Sequence, residues 1–272
     1  MKLKTIGFGL ALILALAATA SAADLRATGR ELAGKIGGAV IRVNVVIKMT
    51  AQMEQRQERE IAHEVNGTVI GEDGLTLVPL SDIDPASMLR QMRDIKLETT
   101  VKDIKLLMAD GKEIPATVVS RDADLDVAFL RPVTKPATKF TFVNLADSAQ
   151  PQLLEQVVVV ARLGKIANRR ISVMTGEIQA IVEKPRTFYV PSSELATGGE
   201  GVPIYNADGK VIGIVLTRML AGRGDEDPMV IIMPASDLDE IARQVPEKAA
   251  EEPAAVKPAP APTATPAPKT AQ

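Results

Sequence analysis

The sequence contains no cysteine and no tryptophan among its 272 residues. The absence of cysteine excludes disulfides, thiol chemistry, thiolate metal ligands and a lipidated cysteine anchor. Aromatics make up only 3%, so there is no stacking platform for bases. Histidine occurs once, as His63, and no metal-ligand spacing of the usual kind is present. Charge of either sign is scarce in net terms. With 32 Lys and Arg against 34 Asp and Glu the formal charge is −2, which gives no electrostatic footprint for nucleic acid.

What is present begins with a targeting segment. Lys2 and Lys4 precede an apolar run from Ile6 to Ala18, and Ala20-Ser21-Ala22 supplies the small-residue cleavage pattern. Residues 1–22 therefore read as a secretory signal peptide, which implies export to a bacterial envelope, periplasmic or secreted. At the other end, residues 246–272 (PEKAAEEPAAVKPAPAPTATPAPKTAQ) are dominated by Pro and Ala and carry no periodicity. That composition reads as a disordered, polyproline-like tail. Residues 23–245 remain for the folded domain.

That domain reads as mostly β. Apolar, β-branched runs recur at 39–49, 67–80, 103–122, 155–163, 169–183 and 203–217. Three of these segments are split by Asp-Gly, at Asp73-Gly74, Asp110-Gly111 and Asp208-Gly209, which predicts hairpins with type I′ turns. Helical periodicity appears at 23–39, 85–95 and 236–245. In the last, Ser236 and Asp239 stand at capping-box spacing. The charged stretch 55–64 reads as a solvated loop or hairpin arm, and His63 within it as a solvated or strand-edge residue.

Three segments in order resemble the HtrA/Deg-type, trypsin-fold serine proteases. They are GTVIGEDGLTLVPLSDI, DGKEIPATVVSRDADLDVAFLRP and GGEGVPIYNADGKVIGIV. The resemblance implies two packed β-barrels with short terminal helices and a cleft between them. It also implies a His, Asp, Ser triad with backbone N–H groups for the oxyanion. In this chain the family's histidine falls on Ser81, its aspartate on Asp126 and its serine on Glu200. The oxyanion loop falls on Gly198, Gly199, Glu200 and Gly201. Only the aspartate is retained. The resemblance thus implies an exported, non-catalytic member, a pseudoprotease without cofactor or metal. Such a member would bind extended peptides or envelope proteins through the edge at Leu216, Thr217 and Arg218, or act as a scaffold. The alternative is an active envelope endopeptidase with a non-standard site at Asp126 and Glu200.

Overall fold

A computed structural model describes residues 25–51, 57–85, 97–219 and 228–247. The segment expected to be a signal peptide, nearly all of the segment expected to be a tail and most of the helix expected at 85–95 lie outside the described residues. The β-branched runs form two closed six-stranded antiparallel barrels. The first contains β1 (Val40–Ala51), β2 (Gln57–Val69), β3 (Thr76–Pro79), β4 (Leu97–Leu107), β5 (Glu113–Asp122) and β6 (Val127–Pro132), in the order β1-β2-β3-β6-β5-β4. The second contains β7 (Gln156–Arg162), β8 (Ile171–Val182), β9 (Phe188–Pro191), β10 (Pro203–Tyr205), β11 (Val211–Met219) and β12 (Pro228–Pro234), in the order β10-β11-β12-β9-β8-β7. This is the double barrel expected from the sequence. Closure removes free sheet edges over most of each barrel, which a domain with no disulfide to limit strand opening benefits from.

Short helices flank the barrels. The first, α1, covers 25–36 and buries Leu25, Leu32 and Ile36, the stripe expected from its period. It is pinned to the second barrel where Thr28 Oγ1 donates to the Ala207 carbonyl at 2.8 Å. Two single-turn helices, α2 (Leu80–Ile83) and α3 (Ser193–Ala196), carry the loops that border the cleft. The last, α4 (Ala235–Ala242), begins one residue before the expected cap. Its N-cap is Pro234, without a side-chain cap, and the Ser236 hydroxyl turns to Asp237 Oδ1 instead. The expected capping box is therefore not formed.

The three Asp-Gly hairpins are present, but their turns differ from expectation. Only the glycines Gly74, Gly111 and Gly209 take positive φ, at 88°, 85° and 74°. Their N–H groups donate three residues back, to Gly71, Met108 and Asn206. These are type I turns closed by a left-handed glycine, the G1-bulge hairpin. The preceding turn residues explain the choice. Asp73 and Asp110 accept from the N–H groups of Leu75 and Lys112, and Asn206 accepts from those of Asp208 and Lys210. Such side-chain turns stabilise ordinary right-handed backbone before the glycine.

The charged stretch 57–64 is a hairpin arm, the outer half of β2. It pairs with β1 along its whole length, from Val40↔Thr68 to Ala51↔Gln57. Farther along β2, two polar residues stitch the barrels together. Asn66 Nδ2 donates to the Glu200 carbonyl at 3.0 Å, and Thr68 Oγ1 donates to the Gly201 carbonyl at 2.7 Å. Thr68 is fully buried, so its partner carbonyl has no water to turn to. A third tie comes from Arg162 on β7. Its guanidinium donates to the carbonyls of Gly37, Val40 and Arg169. Thr68→Val keeps shape but orphans the Gly201 carbonyl, and is expected to cost about 1–3 kcal/mol. Denaturant midpoints of the two proteins check this; equal midpoints would remove Thr68 from the inter-barrel seam.

Candidate active site

The three positions singled out in the sequence converge on the cleft. Asp126 sits just before β6 with φ 56°, a left-handed conformation that aspartate tolerates better than most residues. The twist aims its carboxylate at α2. Ser81 N donates to Asp126 Oδ1 at 2.6 Å, and Ser81 Oγ donates to Asp126 Oδ2 at 2.7 Å. The Leu80 N–H also donates to the Asp126 carbonyl at 2.9 Å. Ser81 therefore occupies the place expected for an imidazole, and its hydroxyl caps the carboxylate.

Glu200 lies across the cleft on the loop after α3. Gly199 and Gly201 flank it with φ 87° and 75°. A Cβ on Gly201 would also come within 2.8 Å of the Asn66 carbonyl oxygen. Glycine is thus required by conformation and by the close approach of β2. The Glu200 carboxylate accepts from Thr217 Oγ1 at 2.5 Å. In the loop expected to bind an oxyanion, the Gly198 N–H donates to the Leu195 carbonyl at 3.0 Å. That donor is spent inside the loop.

Leu216, Thr217 and Arg218 lie on β11, paired on one side with Ile231, Val230 and Met229 of β12. On the other side, Val215 exchanges backbone bonds with Gly201 and Val202. Beyond Val215 no described strand takes up that second edge. Alternation of the ladder puts the Thr217 backbone N–H and C=O on it. The Leu216 side chain is fully buried and, by the same alternation, its backbone groups face β12, so Leu216 offers nothing to the open edge. Arg218 carries its guanidinium 6.0 Å from the Phe188 ring centroid, with Nη1 buried and without a hydrogen-bond partner among the described residues.

Of the two expectations for His63 the strand edge is the one found: it pairs with Val45 of β1, has no strand on its other side among the described residues and is half-buried, with its Nε2 2.8 Å from the Asp82 carbonyl oxygen. It shares a small cleft pocket of about 250 Å³ with Arg42, Glu64, Asn66, Asp82 and Glu200. Asp82, Arg42 and Asn66 were not legible as site residues in the sequence. The available signal was weak: the polar pair Asn66 and Thr68 shares one face of β2, where it continues a largely polar and charged strand.

Three carboxylates, Asp82, Asp126 and Glu200, act on one another across the cleft. Burial pushes Asp82 up to about 6, with the Glu200 charge adding to it and Arg42 opposing. Burial likewise pushes Asp126 up to about 6, while its two hydrogen bonds from Ser81 act in the other direction. Among the described residues, no group of three or more His, Asp or Glu side chains is placed to hold a metal ion. A carboxyl raised in the folded state favours its protonated form there, so its effect is to stabilise the fold below its folded pKa. This stabilisation is lost as pH rises from about 4 to about 6. Asp82→Asn is therefore expected to raise Tm at pH 7.5 and to raise it less at pH 5. Paired melting curves at the two values check it; a gain that grows at pH 5 would contradict the assignment.

Comparison with known proteins places this geometry. A family model described as the trypsin-like peptidase domain matches residues 66–214, more than half of the chain. A probable periplasmic serine endoprotease, DegP-like, of Halomonas elongata is 28% identical over 169 residues, covering 60% of this chain and 31% of that protein. The serine protease Do-like HtrA of Bacillus subtilis is 25% identical over 151 residues, covering 52% of this chain and 33% of that protein. The chain thus spans about a third of the length of these curated relatives. Among solved structures, the MamO protease domain from Magnetospirillum magneticum aligns with a TM-score of 0.47 at 17% identity, covering 76% of this chain and 97% of that one. The double barrel is the fold expected of that match, and with the model covering more than half of its length the chain belongs to the trypsin-like peptidase domain family.

Proposed function

We propose that this chain is an exported, non-catalytic trypsin-fold protein that binds extended peptide segments along the open edge of β11. The observation that carries the reading is the pair of occupied catalytic positions. A serine hydroxyl stands against Asp126 where proton transfer needs an imidazole. A carboxylate tied to Thr217 stands where acyl transfer needs a nucleophilic hydroxyl. A carboxylate at that point also opposes the negative charge of a tetrahedral intermediate. Gly198, whose N–H would serve that intermediate, donates it to Leu195.

Peptide binding survives these losses because it needs different groups. A strand added to β11 gains main-chain hydrogen bonds from Thr217 without any chemistry at Glu200. The signal segment and the periplasmic relatives support action in the bacterial envelope. An acid-based endopeptidase is the other reading, but both Asp126 oxygens are engaged by Ser81 and one Glu200 oxygen by Thr217.

Titration of residues 23–272 with a library of extended peptides tests the proposal. Dissociation constants tighter than about 1 mM are expected, a free energy beyond roughly −4 kcal/mol. Thr217→Pro removes the edge N–H and is expected to abolish binding while circular dichroism stays that of a β-barrel protein. No binding below millimolar concentration, or binding indifferent to Thr217→Pro in a folded variant, would overturn the reading.

A further inference from the structure

A second concavity lies away from the cleft, on the first barrel. It is a groove of about 630 Å³ between the β4–β5 hairpin and the segment leaving β6. Its apolar lining includes Met108, Ile114, Pro115, Pro136, Ala137 and Phe140. Beside it Val133 is 65% exposed. Lys112 and Lys135 stand among its lining residues and make no ion pair among the described residues. Nothing in the cleft chemistry uses this surface.

The described part of the chain ends next to it. The Pro246 carbonyl accepts from Arg131 Nε at 3.1 Å, and Arg131 also pairs with Asp73. Arg131 is two residues from Val133, whose N–H donates to the groove residue Pro115 at 2.9 Å. On the same side, the N–H of the groove residue Phe140 donates to the carbonyl of Glu72, the neighbour of Asp73. Chain continuing from Glu247 therefore starts within a few residues' reach of Phe140. Residues 248–252 could bridge up to about 3.1 Å each in a polyproline conformation. They carry Lys248, Glu251 and Glu252, and the groove carries Lys112, Lys135 and Lys139 beside Asp110 and Glu113, so reach and apolar character rather than charge favour this segment. Pro253, Pro258, Pro260 and Pro262 then follow, with Ala259 and Ala261 between the last three.

We propose that the groove is the docking site of this chain's own Pro/Ala-rich segment, residues 253–262. Within it, the alternating Pro-Ala run 258–262, preceded by Val256 and Lys257, presents an apolar face and loses little conformational freedom when it settles on proline and aromatic side chains. Attachment through Pro246 makes the event intramolecular, so a weak contact suffices. Docking holds the tail on the first barrel and keeps the groove from other partners while the tail occupies it. The proposal does not depend on the reading of the cleft.

The cysteine-free background makes the test direct. Residues 23–272 carrying Lys135→Cys and Ala261→Cys are oxidised mildly, and the cross-link is followed by reduction-sensitive mobility. The companion protein carries the same pair with Pro258, Pro260 and Pro262 replaced by serine, which preserves tail length and leaves the barrels untouched. Rapid cross-linking within one chain is expected, with formation about tenfold slower in the serine companion. Equal rates in the two proteins would overturn the proposal. So would a cross-link that joins two chains, which would make the occupant the tail of another copy.

Discussion

The seam between β2 and the Glu200 loop is the constraint on which the site depends. Asn66 and Thr68 hold the carbonyls of Glu200 and Gly201 from the opposite barrel. The loop must approach β2 so closely that Gly201 cannot bear a side chain. Those two bonds fix the loop's distance from β2. The left-handed turns at Gly199 and Gly201 fix its direction. The Glu200 side chain is then directed to Thr217, and its charge adds to the burial that raises Asp82 and Asp126. The backbone of this loop thus presents a carboxylate at residue 200 to the cleft.

The electrostatics of this cleft are what support the proposed non-catalytic reading. A triad works by moving a proton between groups of matched affinity. Here Ser81 offers only a hydroxyl, far from titrating near neutral pH, and it stabilises the ionised Asp126 rather than exchanging protons with a substrate. His63 borders the same pocket, but its Nε2 is engaged with the Asp82 backbone carbonyl rather than with Asp126. The remaining resource is the backbone edge of β11, which needs no ionisable group. Its neighbours Thr217 and Arg218 are positioned by Glu200 on one side and Phe188 on the other.

Much of the fold was legible because its signals are local. Asp-Gly between β-branched runs marked three hairpins, and the periodicity of 25–36 marked α1. The turn type was not legible, because Asp73, Asp110 and Asn206 stabilise right-handed backbone through their own side-chain hydrogen bonds. The strand β9 was missed because its four residues, Phe188–Pro191, are flanked by no Asp-Gly turn of the kind that marked the similarly short β3 and β10. At the site, Ser81, Asp126 and Glu200 came from the order of motifs along the chain. Asn66, Asp82 and His63 did not, because their roles arise only when β2 curls over α2 and faces the second barrel. Lone polar residues in a strand carry no mark of the partner that a closed barrel brings to them.

The most direct measurement of the central claim is turnover of an unfolded protein. Casein is incubated with residues 23–272 beside Asp126→Ala and Glu200→Ala, and fragments are followed by mass spectrometry. The account predicts the same background in all three, with casein left intact. Fragments made by the unsubstituted protein and lost in either variant would contradict it and assign acid-based hydrolysis to this cleft.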